Sequence, residues 1–323
     1  MIEFNNANAL AWSRLNSRKV FGTILEEIAP FHPELMVLAA DVADSAGLTG
    51  FAQQYPNQFL NTGIAEQNMI GIAAGLALEG RRVFAASFAP FASMRCYEML
   101  RSYLGYMKLN VKVVGLASGL SMGVGGNTHF GLEDAAITRA IPNMTVISPA
   151  DCTETVKAVL ALADHVGSAY LRLTGVGGNP IVYKEDYDFQ IGKGIVLREG
   201  EDIALTAAGT KVYESIRAAR ILQKQGISCT VVDMHTIKPL DTDLLDQLFS
   251  SHKLIVTVEE HSVIGGLGSA VAEYKSGIPG APKQLILGIP DAFGKAGDYP
   301  YLLDQYGLNA KGIAEKIETM WKA

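Results

Sequence analysis

Cysteine is scarce in this chain. Cys96, Cys152 and Cys229 are the only three, widely spaced and without a CxxC pair, so they are expected to be buried free thiols of a reducing, cytoplasmic setting. Charge is sparse as well: Asp, Glu, Lys and Arg make up 19 % of the residues and the net charge is −6, which gives no electrostatic case for nucleic acid or an anionic membrane. No apolar run approaches the roughly twenty residues needed to span a bilayer. The first twelve residues hold Glu3 and three asparagines rather than a basic region and an apolar core, so no signal peptide is expected. There is no HExxH, no paired Cys/His set, and the glycine-rich stretch at 123–131 lacks the Gly-Lys-Ser/Thr ending of a P-loop. What remains is a 323-residue chain, 49 % hydrophobic, long enough for two domains of ordinary size.

Short β-rich runs alternate with helical ones. ELMVLAA (34–40), RVFAASF (82–88), VKVVGLA (111–117), MTVIS (144–148) and AYLRLT (169–174) read as buried parallel strands. Val20, Ile24, Leu25 and Ile28 fit one helix face, and Asp151 with Glu154 three residues on is a capping-box signature. The Gly/Pro-rich, then acidic segment 175–188 (GVGGNPIVYKEDYD) breaks the rhythm. Beyond it DIALTAA, SCTVVD, KLIVTVE and QLILG resume the alternation. The expected fold is α/β, two domains with mostly parallel sheets, at 1–180 and 190–323. Ligands of such sheets sit at the carboxyl ends of the strands. That edge would receive Asp41 and Ser45 after the first strand, Phe88 and Phe91 after the second, and His129 in the glycine-rich loop.

Residues 62–68 (TGIAEQN) place one carboxylate, Glu66, at the head of a helix of small and aliphatic residues, where Gln67 and Asn68 are the only other polar side chains before Leu78. A carboxylate there is poorly solvated unless something binds it, and desolvation moves its pKa toward a proton-sharing range. Gly71 and Gly75, one turn apart, permit close approach of another backbone.

TGIAEQNMIGIAAGLA (62–77), ASFAPF (86–91) and the 126–151 run GNTHFGLEDAAITRAIPNMTVISPAD resemble the pyrimidine-binding part of thiamine-diphosphate enzymes, transketolase above all. DMHTIKPLD (233–241) and VTVEEHSVIGGLGSAVAE (256–273) are similar to the C-terminal domain that follows it in transketolases. The resemblance implies thiamine diphosphate as cofactor, with Glu66 as the carboxyl hydrogen-bonded to pyrimidine N1′ and Phe88 and Phe91 as the apolar wall beside the ring, with Asp41 at the cofactor site. It implies that Arg18, Ser45 and Arg172 hold the anionic tail of the substrate and that His129 lies near its reacting oxygens.

Two departures bear on the substrate. The loop before the histidine reads GVGGNTH where transketolases carry a GEDGPTH-type run, so Gly125 replaces an Asp that meets a substrate hydroxyl. Ala117 stands where many carry a second phosphate-contacting histidine. Both favour a branched, deoxy or otherwise modified ketose. A third difference concerns the cofactor: the GDG and later Asn that hold Mg²⁺ and the diphosphate are absent, the nearest string being Ala296-Gly297-Asp298-Tyr299. The resemblance therefore implies the C-terminal subunit of a split transketolase, whose N-terminal partner carries the metal and diphosphate, in a dimer of heterodimers. The β subunit of a 2-oxo acid dehydrogenase and a non-catalytic subunit of the same fold are the alternatives.

Overall fold

A computed structural model describes residues 2–323. In chain order the strands are β1 (Leu35–Ala39), β2 (Phe59–Asn61), β3 (Arg82–Phe88), β4 (Val111–Ser118), β5 (Thr145–Ile147) and β6 (Ala169–Thr174). Then come β7 (Ile195–Arg198), β8 (Ile203–Ala207), β9 (Cys229–Asp233), β10 (Thr236–Lys238), β11 (Leu254–Ser262) and β12 (Lys283–Ile289). They build two sheets, ordered β10-β5-β6-β4-β3-β1-β2 and β12-β11-β8-β9-β7, parallel throughout except for β10 against β5 and β7 against β9. The central strands β4, β6 and β8 are buried along their whole length, which is why they read as predominantly apolar runs. The chain has two α/β units with mostly parallel sheets. No helix among the described residues is long and apolar enough to cross a membrane.

Helices cover the sheet faces. In Ser17–Ile28 the stripe Val20, Ile24, Leu25 and Ile28 is buried as its spacing requires. Gly22 lets this helix lie against the turn after β1, since a Cβ there would come within 2.0 Å of the Gly47 carbonyl oxygen.

The two units interlock. β10 comes from beyond the linker yet closes the edge of the first sheet, an arrangement invisible in local patterning. Lys238 at its end donates to the carbonyls of Arg139 and Ile141 at 2.8 and 2.6 Å, satisfying the C-terminus of the helix Asp134–Arg139. Arg139 in turn forks onto Glu273 and donates to the Gly265 carbonyl.

Asp151 caps the helix Cys152–Asp164, accepting from the Glu154 backbone N–H at 2.8 Å. Glu154 does not return the bond as a capping box expects. Its carboxyl reaches to the Ala150 N–H at 2.7 Å and takes the Tyr187 hydroxyl at 3.1 Å. Tyr183 stacks on Tyr187 at 3.9 Å and donates to Asp233 at 2.8 Å. Asp151, Glu154 and Asp233 are thus buried together with hydroxyls and amides as partners. Burial raises all three carboxyls, and repulsion from neighbouring carboxylates adds to it for Glu154 and Asp233.

The folded protein therefore retains protons that the unfolded chain releases near pH 4, so stability declines as pH rises from about 4 through the raised folded values, by about 1.4 kcal/mol per pH unit for each retained proton. Glu154→Gln keeps the volume and removes one ionisation. Its melting temperature should fall less than that of the wild type between about pH 5 and 8. Identical pH slopes in the two proteins would mean that Glu154 is not held protonated.

Candidate active site

The carboxyl ends of β1, β3, β4 and β6 define one edge of the first sheet. The helix Glu66–Leu78 begins there, without a side-chain cap at Ala65, so the first acidic group it meets is its own Glu66. Glu66 is 2 % exposed. One of its oxygens accepts at 3.0 Å from the hydroxyl of Ser87, the residue before Phe88 on β3, and the other from Arg95 Nη1 at 2.6 Å. A buried carboxylate with two such donors is compensated.

Arg95 comes from Phe91–Arg95, a π-helical turn, the rare geometry that recurs at functional sites. Its guanidinium lies 4.2 Å above the Phe91 ring, and its side chain is 43 % exposed. Phe88 and Phe91 meet edge to face at 6.3 Å, and the His129 ring packs on Phe91 at 5.5 Å. Glu66, Phe88, Phe91 and His129 are thereby linked by contacts that run through Arg95. His129 is half-buried and shares a hydrogen bond with the Thr128 hydroxyl at 2.9 Å.

Asp41 sits at the edge of the same region, exposed and with a positive φ of 59°. Its N–H donates to the Asn61 side chain, which also takes the Gly63 N–H, tying the turn after β1 to the approach to Glu66. Ser45 is half-buried in that turn. Arg18 is half-buried in the first turn of the helix Ser17–Ile28. The preceding Ser17 hydroxyl bonds the Thr174 carbonyl, which brings Arg18 to the carboxyl end of β6. Burial lowers its pKa, and its Nε has no hydrogen-bond partner among the described residues.

Arg172 is a correction. Expected to grip an anionic tail, it is 3 % exposed and engaged within the protein through Nε and Nη2. Nε lies 3.0 Å from both oxygens of Asp134, and Nη2 donates to the carbonyls of Gly131 at 2.9 Å and Glu260 at 2.7 Å. Tyr170 completes the carboxylate's shell at 2.8 Å. An internal charge inside an apolar strand needs an opposite charge, and Asp134 provides it; breaking such a pair costs about 3–5 kcal/mol. Only Nη1, whose contact is the Thr174 hydroxyl at 3.4 Å, is less than fully engaged.

Sequence reasoning overlooked Ser87 and Arg95, which lie within and just beyond the quoted ASFAPF stretch, and Asp134, which lies inside the longest motif. A lone arginine in FASMRC was the available signal for Arg95. Gly125 is exposed, and a Cβ there would make ordinary contact with His129 at 3.4 Å. Ala117 is completely buried with a φ of 51°. Among the described residues no group of three or more His, Cys, Asp or Glu is placed to hold a metal.

Comparison with known proteins matches residues 13–174 to the pyrimidine-binding domain of transketolase and residues 192–313 to the transketolase C-terminal domain. The chain is 44 % identical over 302 residues to a putative transketolase C-terminal section of Methanocaldococcus jannaschii, covering 93 % of this chain and 94 % of that one. It is 37 % identical to one subunit of the apulose-4-phosphate transketolase of Phocaeicola vulgatus, over 95 % of this chain and 97 % of the relative. Among solved structures, a split-gene transketolase described as an inactive β4 tetramer superposes with a TM-score of 0.85 at 39 % identity, over 94 % of this chain and 97 % of that one. The chain belongs to the transketolase family and carries its pyrimidine-binding domain followed by its C-terminal domain.

Proposed function

We propose that this chain is the C-terminal subunit of a two-subunit cytoplasmic transketolase, which moves a two-carbon ketol unit from a modified, phosphorylated or sulfonated ketose to an aldose phosphate. The observation that carries the reading is Glu66: a buried carboxylate beside two aromatic rings, paired with an arginine that is partly in solvent and can turn away. These groups fit the pyrimidine end of thiamine diphosphate. The sequence has no GDG motif for the diphosphate and Mg²⁺, so those are assigned to an N-terminal partner. The structural neighbour that is an inactive tetramer of one subunit type supports that division, as does the apulose-4-phosphate relative, itself named as one subunit of a transketolase. We divide the chain at 1–180 and 190–323.

When bound, thiamine diphosphate supplies the nucleophilic carbon for cleavage next to a ketose carbonyl. This chain's residues do the rest of what is assigned to it. Glu66 holds a proton at pyrimidine N1′, with Ser87 fixing one carboxyl oxygen; Arg95 releases the other. Phe88 and Phe91 exclude water from the ring, and Asp41 lies at the rim of that site. His129 holds or moves a proton at the substrate's oxygens. Arg18, with its unpartnered Nε, receives the anionic tail beside Ser45. The Glu66 helix meets the partner along Gly71 and Gly75, above which a Cβ would find open space. An obligate interface in a dimer of heterodimers is expected to bury more than about 2,000 Å².

Glu66→Gln keeps a hydrogen-bonding side chain of the same volume but cannot share the proton. Turnover in the assembled complex should fall by ~10²–10⁴, with cofactor affinity changed far less. Hydrogen–deuterium exchange at C2 of the bound cofactor reads this directly; exchange at the wild-type rate would show that another carboxylate activates the cofactor.

Specificity rests on Gly125. A hydroxyl buried without its acceptor costs about 1.5–3 kcal/mol when the missing bond is to a charge, or roughly ten- to a hundredfold in rate. Since Asp fits beside His129 without a backbone penalty, Gly125→Asp should raise kcat/KM for xylulose 5-phosphate by about tenfold and lower it for the native ketose. If the wild type already uses xylulose 5-phosphate as well as branched or sulfonated ketoses, the substrate is the ordinary one.

A further inference from the structure

The loop that carries Gly125 and His129 is closed at its base by the reciprocal pair of Gly119 and Gly131, with N–H to carbonyl distances of 2.8 and 3.2 Å. Between those stems Gly123 and Gly126 have positive φ of 53° and 67°, and short-range bonds such as His129 N–H to the Gly126 carbonyl at 2.9 Å fold the loop on itself. Further restraint comes from the second unit: Asn127 and Gly294 bond reciprocally at 2.6 and 3.2 Å near the tip, and Glu260 acts at the base. Glu260, on β11 and 1 % exposed, accepts the Leu120 N–H at 2.8 Å with Oε1. Only a glycine permits this approach, because a Cβ at Gly119 would lie 2.3 Å from that oxygen. Oε2 accepts from the hydroxyls of Tyr299 at 2.6 Å and Thr210 at 2.9 Å, and the fully buried Lys211 ammonium lies 3.2 Å away as a counter-charge without making a hydrogen bond. The Glu260 carbonyl meanwhile shares Arg172 Nη2 with the Gly131 carbonyl, so both stems hang on one residue of the second unit.

We propose that Glu260, held by Tyr299 and Thr210 and charge-balanced by Lys211, is a positioning residue that sets His129 against Phe91 and the substrate from across the domain boundary. The inference rests on the reading of His129 given above. A buried ion pair of this kind is not needed for stability alone, since apolar replacements of both partners are often tolerated. What an apolar pair cannot replace is the acceptor for Leu120.

The test compares the full chain with two neutral replacements, K211M/E260L, which removes the acceptor, and K211M/E260Q, which keeps an amide oxygen for Leu120. Amide hydrogen exchange at Leu120 and across 120–131 should quicken at least tenfold in the Leu variant, stay near wild type in the Gln variant, and leave β4 unchanged in both. This readout needs neither cofactor nor partner. In the assembled complex the Leu variant should lose roughly ten- to a hundredfold in kcat/KM while cofactor C2 exchange, which reports Glu66, is unaltered. The loss should disappear when measured in a His129→Ala background. Gly119→Ala perturbs the same contact from the loop side and carries the same expectations if the Leu variant does not fold. Unchanged loop exchange overturns the anchor and leaves the reading of His129 standing. Additive losses in the two backgrounds, or a parallel fall in C2 exchange, overturn the positioning role. A His129→Ala variant of full activity overturns that role together with the reading of His129.

Discussion

Burying a carboxylate obliges a protein to compensate it from within, and Glu66 is compensated by one hydroxyl and one guanidinium. Ser87 is itself fully buried on β3, so its hydrogen bond belongs to the scaffold. Arg95 is different: it reaches back from a π-helical turn, rests on Phe91 and stays partly in water. The carboxylate is therefore held by one partner buried in the scaffold and paired with another that is partly exposed. That asymmetry is what a proton-sharing site needs, because a fully caged carboxylate has no oxygen to offer a ligand. Phe88 and Phe91 beside Glu66 are only half-buried.

The arginines divide along the same line. Arg172 stands in a strand with no access to solvent, and Asp134, two carbonyls and a hydroxyl use its donors. Its work is to join the first sheet to β11. Arg18 stands half-buried at a helix start with its Nε unmatched among the described residues. The first unit thus supplies the reactive edge while the second fixes the loop that crosses it. Lys238, Glu260 and the strand β10 join the two units around that loop.

Much of the architecture was legible because parallel strands buried on both faces are predominantly apolar, as β1 is wholly and β3, β4 and β6 are apart from a few residues such as Ser87, Lys112 and Arg172. β2, β7 and β10 were not legible: each is short or at an edge, and β10 pairs with β5 some ninety residues earlier in sequence. The chemistry followed the same rule. Glu66 could be singled out since a charge opening an apolar helix contradicts its surroundings. That Arg172 needed a partner was equally plain. Which partner was not, because Asp134 is brought to it by the fold of the loop rather than by spacing. Arg95 was hidden by the π-turn, whose register no helical periodicity predicts, and Glu154 left its capping box because burial beside Asp233 gave it other partners.

The central claim is that this chain supplies the pyrimidine half of a thiamine-diphosphate site that becomes complete only at a contact with another subunit. Titration calorimetry with thiamine diphosphate and Mg²⁺, run on this chain alone and again after assembly with a subunit bearing the GDG motif, addresses it most directly. The account predicts weak or undetectable binding to the chain alone and tight binding to the assembly, since the diphosphate and its metal carry much of the binding energy. Sub-micromolar binding to the isolated chain would contradict it.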